Sequence, residues 1–189
     1  MKISPIVLRT AENLVGRRLS TLNWIHTMAM RSIGASLARD EKADATVVDL
    51  GILFHDIGKD SVEFSQHAKE GAGICRKDLQ RLKVNHELID AVVHCVETHG
   101  WAHIEGDPKP KTKEAKIVFD ADMIQQLGCM GIVKHILKHR EEEFYSLIDK
   151  AKADLEKAAQ SVLTSSGKKL VSERLDEVLN FFDKAEQGE

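Results

Sequence analysis

A chain of 189 residues is long enough for one compact domain, or one domain with a helical extension, because a length of this order buries a core of its own. Its 27 Lys and Arg stand against 30 Asp and Glu, a net charge of −3, so it lacks the basic excess that holds nucleic acid through its phosphates. Cys75, Cys95 and Cys129 are odd in number, widely spaced and without a CxxC pair, which argues against a disulfide scaffold or a thiolate zinc site and suits a reducing cytoplasm.

The start, MKISPIVLRTAENLVGRR, has no continuous apolar run ahead of its charges, and no later stretch reaches the roughly 18 apolar residues of a membrane span. A soluble, cytoplasmic protein without a membrane partner is expected. Only Pro5, Pro108 and Pro110 interrupt the chain, and apolar residues recur at helical spacing, as in Ile25, Met28 and Ile33 or Leu88, Val92 and Val96. The pattern predicts an all-α fold with helices over 5–18, 21–39, 44–58, 66–82, 86–98, 113–127, 129–139, 141–163 and 169–186. Ser4, Ser20, Asp44, Asn85 and Thr112 have the short polar side chains that cap helix N-termini. Two stretches read as loops, Gly100 to Lys111 with its GDPKPK and Thr164 to Lys168. The first is expected to border a site. The second separates the arms of a C-terminal hairpin whose apolar stripe runs through Phe144, Leu147, Ile148, Ala151 and Leu155, then Leu175, Val178, Leu179 and Phe182. That stripe is expected to pack on the body of the protein or on a second copy in a homo-oligomer.

Histidines cluster early in the chain: His26, His55, His67, His86, His94, His99 and His103 all precede GDPKPK. His55 and Asp56 end the apolar run VVDLGILFHDIGK, where an imidazole and a carboxylate buried without partners would be costly and a metal ion would compensate them. Lys59, four residues after His55, is a point charge suited to a substrate phosphate. The structural alternative for Lys59 is a solvated helix end. Trp24 and Trp101 are expected to pack in the core rather than stack on bases. The three cysteines are expected to be small buried hydrophobes. His86, His135 and His139 are assigned no role, and Arg140 to Glu143 reads as a solvated helix start.

The order His26, then His55-Asp56, then Asp122 resembles the H…HD…D signature of the HD-domain phosphohydrolases. The contexts HDIGK at 55–59, HAKEGA at 67–72 and EAKIVFDADMIQQLG at 114–128 are similar to that family's as well. The resemblance covers about residues 20–135 and selects Asp122 over Asp120 within FDAD. It implies a compact multi-helix bundle with residues 1–139 as the catalytic core; residues 140–189, outside the resemblance, are expected to form a helical extension packed on that core or on a partner subunit. It also implies a divalent ion held by His26, His55, Asp56 and Asp122, with Asp56 essential to catalysis. In binuclear relatives further histidines hold a second ion with the doublet Asp bridging, and His67 and His99 resemble those ligands; His94 and His103 compete with His99. Imidazole and carboxylate donors suit Mn, Fe, Ni, Co or Zn, with Mg also considered, at one or two ions per chain.

The implied function is metal-dependent hydrolysis of a phosphorylated small molecule, most plausibly a nucleotide, by metal-activated water. Relatives include nucleoside triphosphate pyrophosphohydrolases, 5′-nucleotidases and cyclic-nucleotide phosphodiesterases. Asp60 is a candidate for a general base acting through water. The alternative is a catalytically silent HD-domain module that binds a ligand or partner.

Overall fold

The computed structural model describes residues 2–59, 66–100 and 108–188, and among them every regular element is a helix. In chain order these are α1 (Pro5–Gly16), α2 (Thr21–Asp40), α3 (Ala45–Phe54), α4 (His67–Arg81), α5 (His86–Glu97), α6 (Lys113–Gln126), α7 (Cys129–Lys138), α8 (Phe144–Ser161) and α9 (Ser165–Gln187). None of these helices is long and apolar enough to cross a membrane. Ser4, Ser20, Asp44, Asn85 and Thr112 each accept a backbone amide of the first turn, so all five expected N-caps form.

Two helices are buried on nearly every side and organise the rest. In α3 the run Val47 to Phe54 is buried apart from Asp49, and in α6 Ala115, Ile117 to Ala121 and Met123 to Gln125 are buried. Helices α2, α5 and α6 pack on α3, and α2, α3, α5, α7, α8 and α9 all touch α6. Gly51 permits this crowding, since a Cβ there would lie 2.9 Å from both Cys95 Cβ and Val118 Cγ2. At the outer edge Arg31 of α2 grips Asp49 of α3 through two bonds, at 2.6 and 2.8 Å, and reaches Glu12 of α1 at 2.5 Å.

Several expectations change. On α2 the buried stripe is Asn23, His26, Thr27, Met30, Ile33, Gly34, Leu37 and Ala38, while Ile25 and Met28 face outward, because the polar residues of that helix turn inward to build a site. Trp24 is only partly buried against the core. Cys75 and Cys95 are buried, and burial pushes both thiols up; Cys129, at the start of α7, is exposed. Thr164 to Lys168 is not a loop: Thr164 caps α9 through its hydroxyl, so the hairpin turn shrinks to 162–164. Arg140 to Glu143 precedes α8 rather than starting it. Trp101 lies outside the described residues.

The hairpin of α8 and α9 buries Ile148, Ala151, Leu155, Val178 and Phe182 and packs on α6, α7 and α2, while Phe144 stays exposed. Its anchor is Asp120, whose carboxylate accepts the amides of Leu163 and Thr164 at 2.7 and 2.8 Å and the Thr164 hydroxyl at 2.5 Å. Of the two aspartates in FDAD, this one faces the hairpin.

Candidate metal centre and its cavity

Helix α3 stops at Phe54, and residues 55–59 form a turn with the bonds Ile57 N to Phe54 O at 3.1 Å and Lys59 N to Asp56 O at 2.9 Å. The turn aims both His55 and Asp56 inward. Gly58 is needed where it stands, because a Cβ there would lie 2.5 Å from His67 O and 2.7 Å from Gly71 N. That close approach seats the first turn of α4, and with it His67, against the doublet. Asp122 of α6, His26 of α2 and His99, just beyond α5, complete a group drawn from five helices or their ends.

The donor atoms converge. His26 Nε2 lies 3.3 Å from His55 Nε2 and 3.1 Å from Asp122 Oδ1. His67 Nε2 lies 3.1 Å from His99 Nε2. Asp56 stands between the pairs: Oδ2 is 3.4 Å from His55 Nε2, and Oδ1 is 3.7 and 3.6 Å from the Nε2 atoms of His67 and His99. All six sequence-derived ligand candidates therefore share one cluster, and Lys59, whose ammonium donates to Asp56 Oδ2 at 2.8 Å, borders it. His94 points elsewhere and accepts the Lys111 amide at 3.0 Å, while His103 and Asp60 lie outside the described residues.

The tautomers follow from the outer partners. Nδ1–H of His55 donates to Ile52 O, that of His99 to Val96 O and that of His26 to Gln125 Oε1, each at 2.7 Å. A carbonyl oxygen can only accept, so in the neutral form of each ring Nε2 carries the lone pair. Lone pairs facing each other at 3.1–3.3 Å repel unless a proton or a cation lies between them. The same two groups, His26-His55-Asp56 and Asp56-His67-His99, have donors spaced to hold a metal ion, and Asp56 belongs to both. In a tetrahedral site with bonds near 2.1 Å, neighbouring donors stand about 3.4 Å apart, as these do. The residues present thus fit a divalent cation.

Protonation in the metal-free chain differs between the rings. Burial pushes His55 toward the neutral form against the pull of Asp56. Burial also disfavours a charged His99, but the approach of the Asp56 carboxylate to its ring and the charges of Asp56 and Asp122 outweigh this and raise it. Asp56 and Asp122 are held well below the ordinary carboxylate range, because the neighbouring histidines overcome the burial that would raise them.

A cavity of about 540 Å³ opens from Asp56, His67, His99 and Asp122 and is rimmed by Lys59, Lys134, Lys138 and Lys157. Such a volume suits a small organic ligand, and its cations favour an anionic one. Lys134 and Lys138 come from α7 and Lys157 from α8, and none of the three was singled out in sequence, nor was Gln125 behind His26. His135 of α7, a residue to which the sequence assigns no role, and Asp154 of α8 also line the wall.

The HD domain family model matches residues 23–127, more than half of the chain. The fold is similar to Bacillus subtilis YpgQ, at 17% identity with a TM-score of 0.78 over 97% of this chain and 95% of that one. YpgQ in complex with ADP matches at 18% identity, TM-score 0.78, over the same shares of the two chains. A predicted HD superfamily hydrolase from an uncultured Thermotogales bacterium matches at 18% identity, TM-score 0.70, over 96% and 92%. Among curated proteins, the tRNA (cytidine(56)-2'-O)-methyltransferase of Thermoplasma volcanium is 31% identical over 108 residues, which are 51% of this chain and 30% of that protein. The chain thus spans under a third of that relative's length. With H…HD…D gathered at one centre and the family model matched across it, the chain belongs to the HD domain family.

Proposed function

We propose that the protein is a metal-dependent phosphohydrolase acting on a nucleotide. The observation that carries this reading is the position of Asp56, one carboxylate oxygen toward His55 and the other toward His67 and His99. In this reading His26, His55, Asp56 and Asp122 hold one divalent ion, and Asp56, His67 and His99 hold a second. A bound divalent cation supplies Lewis acidity and lowers the pKa of its water from 15.7 toward about 7. The protein residues do the rest. The carbonyls of Ile52 and Val96 and the Gln125 side-chain oxygen hold three imidazoles by Nδ1–H and so aim their Nε2 atoms at the centre. Lys59 braces Asp56 and faces the cavity, where its ammonium donates to a phosphoryl oxygen. Lys134, Lys138 and Lys157 continue the positive rim along the space that a chain of phosphates would fill. Residues 140–189 belong to the same working unit, a view supported by Asp154 and Lys157 in the cavity wall.

A nucleotide is favoured by the cavity's size and cationic rim and by the ADP complex of YpgQ, a structural neighbour. The test is a screen of nucleoside mono-, di- and triphosphates, cyclic nucleotides and generic phosphoesters with added Mn²⁺, Ni²⁺, Co²⁺ or Mg²⁺. Turnover of at least one nucleotide is expected. Asp56→Asn should remove it with helical content retained, a loss exceeding the roughly 10–100-fold typical of outer-shell partners. A parent protein inert toward every substrate, yet binding nucleotide, would make the chain a ligand-binding module instead.

A further inference from the structure

Outside the core cluster, His135 of α7 and His139, the residue that caps the C-terminus of α7, meet Asp154 of α8. His139 Nε2 is 3.1 Å and His135 Nδ1 3.4 Å from the same atom, Asp154 Oδ2. One donor atom from each of the three residues lies within 4.8 Å of the other two. Adjacent donors in a tetrahedral zinc site stand about 3.4 Å apart, so the spacing is that of three donors around one ion. The i, i+4 offset is also the way a single helix offers two imidazoles to one metal.

Two details point beyond a salt-bridge cluster. The His135 side chain is only 8% exposed, and its Nδ1 makes no hydrogen bond among the described residues despite its approach to Asp154. A buried ring nitrogen left so is costly unless something else engages it. Asp154, in turn, collects one ammonium and two imidazoles on a single oxygen, with Lys138 as the ammonium. Lys138 is 59% exposed, so it can leave for solvent as another cation enters.

We propose that His135, His139 and Asp154 form a further divalent transition-metal site, separate in its ligands from the core cluster. The donor set of two imidazoles and one carboxylate suits zinc, nickel, cobalt or manganese. Three protein donors leave an open coordination position. His135 and Asp154 line the cavity, so an ion held there would border it. Lys138 is the resident competitor, and metal entry exchanges one cation for another.

The test counts zinc bound by the full chain at equilibrium dialysis, in the parent and in His139→Ala and Asp154→Asn, with helical content checked by circular dichroism. Each variant is expected to hold one equivalent fewer than the parent. The same difference is expected on an Asp56→Asn background, which separates this site from the core cluster. Lys138→Met removes the competitor without touching a donor and should tighten the weakest class of zinc by up to about fivefold, the scale of an exposed ion pair. Equal zinc counts in the parent and both donor variants, or a weakest class that Lys138→Met leaves unchanged, would overturn the proposal.

Discussion

The two histidine clusters of this protein use the same donor types in opposite surroundings. In the core, His26, His55 and His99 are almost wholly buried, and each ring is fixed by a 2.7 Å bond from Nδ1 to a carbonyl or amide oxygen. On α7 and α8, Asp154 is 31% exposed, His135 Nδ1 makes no hydrogen bond among the described residues and a lysine shares the carboxylate. A ring held in place binds metal without reorganising, whereas a ring that must turn and displace a cation gives up part of its affinity. The core is therefore expected to be the tight class and the α7–α8 cluster the exchangeable one.

The sharpest way to break this contrast is to remove an outer partner from the core. Gln125→Leu keeps the side-chain bulk but deprives His26 Nδ1 of its acceptor. Core metal affinity should fall roughly 10–100-fold, with the weak class untouched. Competition titration against a chelating indicator measures both. A core affinity unchanged in Gln125→Leu would show that the outer bond does not set the hierarchy.

Gln125 also marks where sequence reading stops. His26, His55, Asp56 and Asp122 were legible because a motif fixes their order and types, and His67 and His99 because their neighbours resemble the family's. Gln125 was not, since an outer partner needs only an oxygen at the right place and many residues supply one. Lys134, Lys138 and Lys157 were missed for a related reason: a lysine at helical spacing looks solvated until tertiary packing folds α7 and α8 over the site. The helices themselves were readable from periodicity and caps. The face of α2 was not, because a helix that turns His26 and Asn23 inward exposes Ile25 and Met28, against the rule that apolar residues mark the buried side.

Acidity gives a second test. In the metal-free chain His99 is raised, so it keeps its proton above the ordinary histidine value of about 6.5. A histidine raised on folding contributes stability that is present below the unfolded value and lost as pH rises through the folded one. Metal must displace that proton, so binding at neutral pH should release protons and weaken as pH falls. Asp56 and Asp122, held low, contribute stability above about pH 4 that is lost on further acidification. The rise in Tm produced by zinc should therefore be larger at pH 8 than at pH 6. A rise independent of pH would mean that His99 carries no proton in the metal-free chain.

The smallest expected effect falls on Lys134, which lines the cavity shared by the two clusters. Burial holds its pKa below the ordinary lysine value, with the charges of Asp122 and Asp56 opposing that shift only in part. A base lowered on folding destabilises the folded state throughout the range in which the unfolded chain is charged, neutral pH included. No ion pair or hydrogen bond compensates Lys134 among the described residues, so its charge is a cost to the fold that an anion in the cavity would repay. Lys134→Met should accordingly act in two directions. It should raise Tm in the absence of ligand, because a half-buried ammonium becomes an apolar chain of similar length. It should also raise KM for a phosphorylated substrate by about tenfold, the scale of one charge-assisted hydrogen bond, with metal content unchanged. A variant that loses both stability and substrate affinity would make Lys134 a packing residue, and the cationic rim would then reduce to Lys59, Lys138 and Lys157.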